Sequence, residues 1–205
     1  LRRAEREFGG ISGRPAPERR RFVEPPQGAE RRVTLRKEGA TAYWKAAFHA
    51  PAFGDAGFFP LLVADAVLSG AAGLNIWSAG RVPRAQRSAR LYRALVDTGL
   101  ASSVGGALMP TAQPFLYELS ATVAEGQSLA AVEDAILREL DRLSREGITP
   151  RELDKARAQL RALFVFDMDG VTDMAHQLGY FETIGSWRDA LDMGARLAAV
   201  SLADV

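Results

Sequence analysis

The chain predicts an α+β fold: one antiparallel β-sheet backed by helices on one face. Three observations predict it. Residues 115–123 alternate apolar and polar with period two, as a half-buried strand does. A short turn at Thr111-Ala112-Gln113 joins them to a preceding run, 101–109, in the manner of a hairpin. From Ser128 onward the apolar residues recur at helical spacing between glycine stops, so helices segregate from strands instead of alternating with them.

Taken in order, residues 1–8 read as the end of a helix closed by Gly9 and Gly10. Residues 1–36 hold ten Arg and five Glu, a net +5, so the remainder carries −4 of the chain's formal +1. With Pro15, Pro17, Pro25 and Pro26 this basic part reads as an extended, solvated linker, because proline fixes φ and removes a donor. Its interleaved glutamates and lack of an aromatic platform argue against a nucleic-acid tail. The chain thus divides into 1–30, a helix end and linker, and 31–205, a folded domain.

Arg32-Val33-Thr34-Leu35-Arg36 alternates as a strand, Lys37-Glu38-Gly39 turns, and 42–49 forms a second strand pairing with the first. Trp44, Ala46 and Phe48 share one face of it. Asp55 is the expected N-cap of an apolar helix over 56–69, ended by Gly70 and Gly73. Residues 74–87, with Trp77, Gly80 and Pro83, read as a loop. A helix over 88–98 buries Leu91, Leu95 and Val96 and stops at Gly99. Ser128 caps a helix carrying Leu129, Val132, Ile136, Leu140 and Leu143. Thr149-Pro150-Arg151-Glu152 is a helix start with a capping box and proline at the first position. Thr172 is expected to cap the next helix, to Gly185, and 187–200 forms another. Ser201-Leu202-Ala203-Asp204 then reads as a further cap.

The make-up, 205 residues with 47% hydrophobic and 25% charged, is that of a globular chain able to bury a sizeable core. The longest apolar run, 58–68, is interrupted by Asp65 and falls short of the roughly 18 to 20 residues of a membrane helix. No signal peptide is visible, and the chain's start at Leu1 and its close on a cap read as truncation at both ends. The compartment, cytoplasmic or periplasmic, stays open. The absence of cysteine excludes disulfides, thiolate zinc sites and cysteine nucleophiles.

The chemistry-bearing residues are few. His49 and His176 lie 127 residues apart, so no helix carries a His-x-x-x-His pair. His49 reads as a hydrogen-bonded strand end and His176 as a buried structural imidazole. Asp167 and Asp169, two apart, do not face each other on a helix. Asp167-Met168-Asp169-Gly170 starts like a calcium loop, but its twelfth position is Leu178 instead of a bidentate Glu. No glycine pattern cradles phosphate, and no serine sits in a nucleophile elbow. Arg84, Arg87, Arg90 and Arg93 read as a solvated face; three of them, at i, i+3 and i+6, line one side of a helix and offer a site for an anionic group or a peptide carboxylate. The residues themselves thus predict no catalytic group and no metal ligand.

Several fragments, in this order and spacing, carry a resemblance: Glu7-Phe8-Gly9-Gly10-Ile11; Phe48-His49-Ala50-Pro51; 62–70, Leu-Val-Ala-Asp-Ala-Val-Leu-Ser-Gly; Leu91-Tyr92-Arg93-Ala94-Leu95 leading to Gly99-Leu100-Ala101; Gly147-Ile148-Thr149 with Glu152-Leu153-Asp154-Lys155-Ala156; and Leu178-Gly179-Tyr180-Phe181. Together they resemble the second half-unit of the insulinase/pitrilysin zinc metallopeptidase family, which includes mitochondrial processing peptidase.

The resemblance implies two α/β half-units closing on a chamber, in one chain or across two subunits. One half carries His-x-x-Glu-His and zinc; the other encloses and binds the peptide. His-x-x-Glu-His does not occur here, so the chain is similar to the metal-free half, its domain 31–205 being the C-terminal-type unit and its proline-rich part the tether. Zinc is expected only on the catalytic partner half. In active relatives the metal-free half often supplies an Arg and a Tyr; the matching positions here are Leu95 and Ser102, with Arg93 the nearest arginine. The residues expected to face the chamber and contact peptide are Arg93, Ser102 and Ser103. The alternative is an inactive structural or assembly subunit of the kind found in respiratory complexes, toward which the Ser102 position points.

Overall fold

The computed structural model describes residues 1–13, 15, 23, 25–74 and 86–205. Pro17 of the expected linker and Trp77, Gly80, Pro83 and Arg84 lie outside the described residues. The chain divides into two units, Leu1–Val33 and Thr34–Val205.

The first unit holds one short helix, α1 (Arg2–Phe8), with every residue exposed. It closes as its composition predicts, Gly9 N–H donating to the Glu5 carbonyl at 2.7 Å. Residues 25–33 run without regular secondary structure and stay exposed.

The second unit holds the sheet: β1 (Tyr43–Ala50), β2 (Ala101–Leu108) and β3 (Phe115–Val123), all antiparallel in the order β1-β3-β2. The hairpin from β2 to β3 is as the sequence predicts. The strand expected over 32–36 is absent: those residues are irregular, with Val33 and Leu35 each 81% exposed. Alternation stabilises a strand only where one face is covered. Pairing of β1 falls instead to β3, from Tyr43↔Thr122 to Ala50↔Phe115.

Register separates the two faces. Tyr117, Leu119, Ala121 and Val123 of β3 are buried under helices. Ser120 between them is exposed, and Leu116, Glu118 and Thr122 are half-buried. Lys45 pairs with Glu118 at 3.1 Å across that open face.

Helix α2 (Phe58–Asp65) runs straight into a π-helical turn, Ala66–Gly70. Asp55 does not cap it. Its carboxylate accepts from Ala52 N–H at 2.9 Å and closes the preceding turn, while Gly57 holds the N-cap position without a side-chain bond. Gly70 ends the π turn at φ +105°, a conformation that glycine alone adopts freely. A second π turn, Tyr92–Val96, occupies the centre of the helix expected over 88–98, and buries Leu95. Both π turns and α2 pack on β2.

Helix α3 (Leu129–Glu146) is capped by Ser128, whose hydroxyl accepts from Ala131 N–H, and it buries Val132, Ala135 and Ile136. Its contacts are to β1, β3 and the second π turn. Helix α4 (Pro150–Phe166) carries the predicted capping box. Helix α5 (Val171–Ile184) starts from Gly170, so Thr172 lies inside its first turn instead of capping it. Helix α6 (Arg188–Ala199) packs on α4 and α5. An aromatic cluster ties these layers together: Phe53 lies 5.2 Å from Phe58 and 5.1 Å from Phe181, with the Arg196 guanidinium 4.5 Å from the Phe59 ring.

Candidate functional site

The start of β2 is irregular. Ala101 pairs with Val123 and Ser103 with Thr122, so Ser102 is the extra residue of a β-bulge. Both serines turn to the same partner. Ser102 Oγ donates to the Thr122 carbonyl at 3.3 Å, and Ser103 Oγ lies 3.0 Å from Thr122 Oγ1. Bulges re-aim side chains at strand ends, and this one leaves Ser102 and Ser103 exposed.

Beside the bulge lies a cavity of about 560 Å³, within the usual size range of ligand pockets. The beginning of β1, the middle of β2 and the end of β3 form one side. The π turn after α2, with Ala71 and Ala72, and then Gln86 and Tyr92 form the other. Its aromatic residues are Tyr43, Trp44 and Tyr92, and its polar ones include Lys45, Ser69, Ser103, Ser120, Thr122 and Gln86. Of the three residues expected to contact peptide, Ser103 lines this cavity; Ser102 and Arg93 do not. Tyr92, next to Arg93 in sequence, lines it in that residue's place.

Close packing shapes the floor. A Cβ added at Gly106 would come within 2.1 Å of Asp65 Oδ1 and 2.7 Å of Ser69 Oγ, so only glycine fits. Beneath it Asp65, 2% exposed, accepts from Ser69 Oγ at 2.6 Å and Tyr117 Oη at 2.8 Å, both on Oδ1. Burial pushes the Asp65 carboxyl up to about 6, against the opposing pull of the two hydroxyls. Burial and the neighbouring carboxylate likewise raise the Tyr117 phenol, which stays a proton donor.

Arg90 is not on a solvated face. It is 5% exposed and clasps the start of α4: Nε donates to Glu152 Oε1 at 2.8 Å, and Nη2 to Glu152 Oε2 at 2.7 Å and the Gly147 carbonyl at 3.0 Å. The guanidinium and the Thr149 bonds hold the Glu152 carboxyl at about 2, against partial burial. The row expected to bind an anion is therefore broken: its middle member is a structural clasp. Arg84, at the head of the run, lies outside the described residues. Arg87 and Arg93 are exposed. Burial, then the Arg93 charge, lowers the Lys155 ammonium, whose Nζ bonds Ser88 Oγ.

His176 is exposed, and its neighbour Gln177 takes the buried place, because α5 turns that face inward with Phe181. Asp167 and Asp169 part company: Asp167 is buried against Gly73, and Asp169 is exposed. Among the described residues no three His, Cys, Asp or Glu side chains come together in a way that would hold a metal ion. No helix among them is long and apolar enough to cross a membrane.

Sequence reasoning missed Trp44, Gln86 and Tyr92. The available signal was Gly105-Gly106 inside a strand, since an interior strand glycine marks a place where another group approaches the backbone.

A family model described as the peptidase M16 inactive domain matches residues 1–160. Among solved structures, the chain is similar to the inactive peptidase domain of a candidate zinc protease from Bordetella parapertussis, at 27% identity, covering 84% of this chain and 86% of that one with a TM-score of 0.66. It is also similar to a candidate zinc protease from Bordetella pertussis Tohama I, at 25% identity over 81% and 84% of the two chains, TM-score 0.66. A protease from Helicobacter pylori shares the fold at 18% identity and TM-score 0.68; 81% of this chain corresponds there to 37% of that chain. No match was found among curated proteins.

Proposed function

The chain belongs to the peptidase M16 inactive-domain family, and from that premise we propose that it is the non-catalytic half of a zinc metallopeptidase. In this reading it encloses and binds a peptide while a partner half bearing His-x-x-Glu-His performs the cleavage. The partner is joined upstream in the same chain or comes as a separate subunit. Residues 1–30 serve as the tether and 31–205 as the enclosing domain.

The observation that carries the reading is the cavity beside the β2 bulge. It combines aromatic walls, a floor of small residues and hydroxyls from Ser69, Ser103, Ser120 and Thr122, a lining suited to a peptide's alternating apolar and amide groups. Ser103 lies at its rim, with Ser102 and Arg93 as outlying contacts for a longer peptide. The chain's own work is to bind, orient and exclude water; hydrolysis belongs to the partner half, where bound zinc supplies a polarised water.

One observation favours the assembly reading. Leu95, where the family resemblance places an arginine, is fully buried, and Ser102, at the tyrosine position, carries only a hydroxyl. The same experiment tests both. The chelator-washed chain is incubated with a quenched fluorescent peptide, alone and with the His-x-x-Glu-His half supplied in zinc-loaded form. Cleavage by the mixture, and not by either half alone, is the expected result. Stoichiometric zinc on this chain, or cleavage by it alone, overturns the proposal. A stable mixture that binds no peptide and cleaves none selects the assembly reading.

A further inference from the structure

Three cations meet at the start of α4. Arg151 and Lys155, four residues apart, share one face of that helix. The segment leading into the second π turn is tied to the same helix twice: Arg90 clasps Glu152, and Lys155 Nζ donates to Ser88 Oγ. Arg93, three residues beyond Arg90, acts on the Lys155 charge, and so does Arg151. Among the described residues none of the three cations forms an ion pair. The one carboxylate there that acts on Lys155, Glu152, is held through both its oxygens by Arg90. Like charges held this close oppose folding.

Ser88 accepts from the ammonium, so its own O–H is left to donate. The patch thus offers donors only, all but one of them charged, and what completes it is an acceptor bearing negative charge. The guanidinium forks of Arg93 and Arg151 match the paired oxygens of a carboxylate. The patch also borders the cavity. Gln86, packed on Gly70, and Tyr92 line that cavity, and Ser88 and Arg93 follow them on the same segment. The chain's net charge of +1 and the lack of an aromatic ring among these four residues argue against nucleic acid.

We infer that Arg93, Arg151 and Lys155, with Ser88, form a subsite for an acidic side chain of the bound peptide, flanking the residue seated in the cavity. The inference rests on the peptide-binding reading above and goes beyond it by naming the charge the peptide carries and the residues that read it.

The test uses acetylated, amidated Ala-X-Ala-Val-Ala-X-Ala peptides, with X as Glu, Gln or Lys. Each is titrated into the chain at low salt while the backbone amides of Gly105 and Gly106, in the cavity, and of Ser88, in the patch, are followed by NMR. The Glu peptide shifts both sets and binds about three- to tenfold more tightly than the Gln peptide, the scale of one or two exposed ion pairs. The Lys peptide binds most weakly, and salt at about 1 M removes the ranking. In the Arg151→Gln, Lys155→Gln double variant the Glu and Gln peptides bind equally. Equal affinities on the native chain overturn the inference and leave peptide binding standing. So does a Glu preference that survives in the variant, or inorganic phosphate that binds more tightly than the Glu peptide. Shifts at Ser88 with none at Gly105 or Gly106 overturn it too, as anion binding unconnected with the cavity. Failure of all three peptides to bind overturns both readings. The native-chain ranking and its salt dependence need no variant, so they stand if the double variant does not fold.

Discussion

Two carboxylates, one buried and one half-buried, meet the loss of solvent in opposite ways. Asp65, under the sheet, meets only hydroxyls, from Ser69 and Tyr117, and its affinity for a proton rises to about 6. Glu152, at the start of α4, meets the Arg90 guanidinium, a backbone N–H and the Thr149 hydroxyl, and stays ionised down to about 2. Hydroxyl dipoles do not replace lost hydration of a charge; a bidentate guanidinium does. The first site tolerates its charge, and the second is built around one.

Removing the cation is expected to show the difference most strongly. Arg90→Ala leaves the Glu152 charge and the Gly147 carbonyl without their partner, and lowers stability by about 3–5 kcal/mol, read as the urea midpoint at pH 7. A loss under 1 kcal/mol would mean that the capping box carries Glu152 alone.

Acidity separates the two sites next, with opposite sign. The folded value for Asp65, about 6, lies above its ordinary 3.8, so the folded state binds the extra proton. Its contribution therefore favours folding below pH 4 and is lost as pH rises through about 6, by up to roughly 3 kcal/mol. Glu152, at about 2 against an ordinary 4.5, contributes stability above pH 4.5 that is lost as pH falls toward 2. Asp65→Asn is expected to flatten the stability profile between pH 4 and 6 and leave the acid limb in place. An unchanged profile between pH 4 and 6 would show that Asp65 titrates normally.

Smaller changes probe the hydroxyl cage. Gly106→Ala drives a methyl group into Asp65, Ser69 and Tyr117, at a cost of about 2–3 kcal/mol, whereas Gly105→Ala, with nothing within 4 Å of its added carbon, stays within about 0.5 kcal/mol. Equal thermal shifts for the two would refute the close approach. Tyr117→Phe removes one donor to Asp65, about 1–2 kcal/mol at pH 8, and less at pH 5 where the carboxyl is neutral. A pH-independent loss would assign the effect to packing alone.

The same contrast explains what was legible in the sequence. Thr149, Pro150 and Glu152 are neighbours, so their capping box reads directly from spacing. Arg90 is 62 residues from Glu152, and nothing local distinguishes it from Arg87 or Arg93 on the surface. The hairpin of β2 and β3 reads from alternation and a short turn. The strand expected over 32–36 had the alternation without the covered face. At the cavity, Ser103 is found from the family resemblance, but Gln86 and Tyr92 enter through the geometry of turns that no local pattern announces. The bulge at Ser102 depends on which residue of β3 sits opposite, a tertiary fact.

The two π turns carry a consequence for variation in length. A π turn holds one residue more than the α-helix it interrupts. Deleting one residue within Ala66–Gly70 lets ordinary helix form, and every later position rotates by about 100° around the axis. Gly70 then leaves its place against Gln86, and the serine after α2 no longer faces Asp65. Homologues with the shorter turn are expected to have replaced the buried acid and the glycine opposite it together, as one inherited unit.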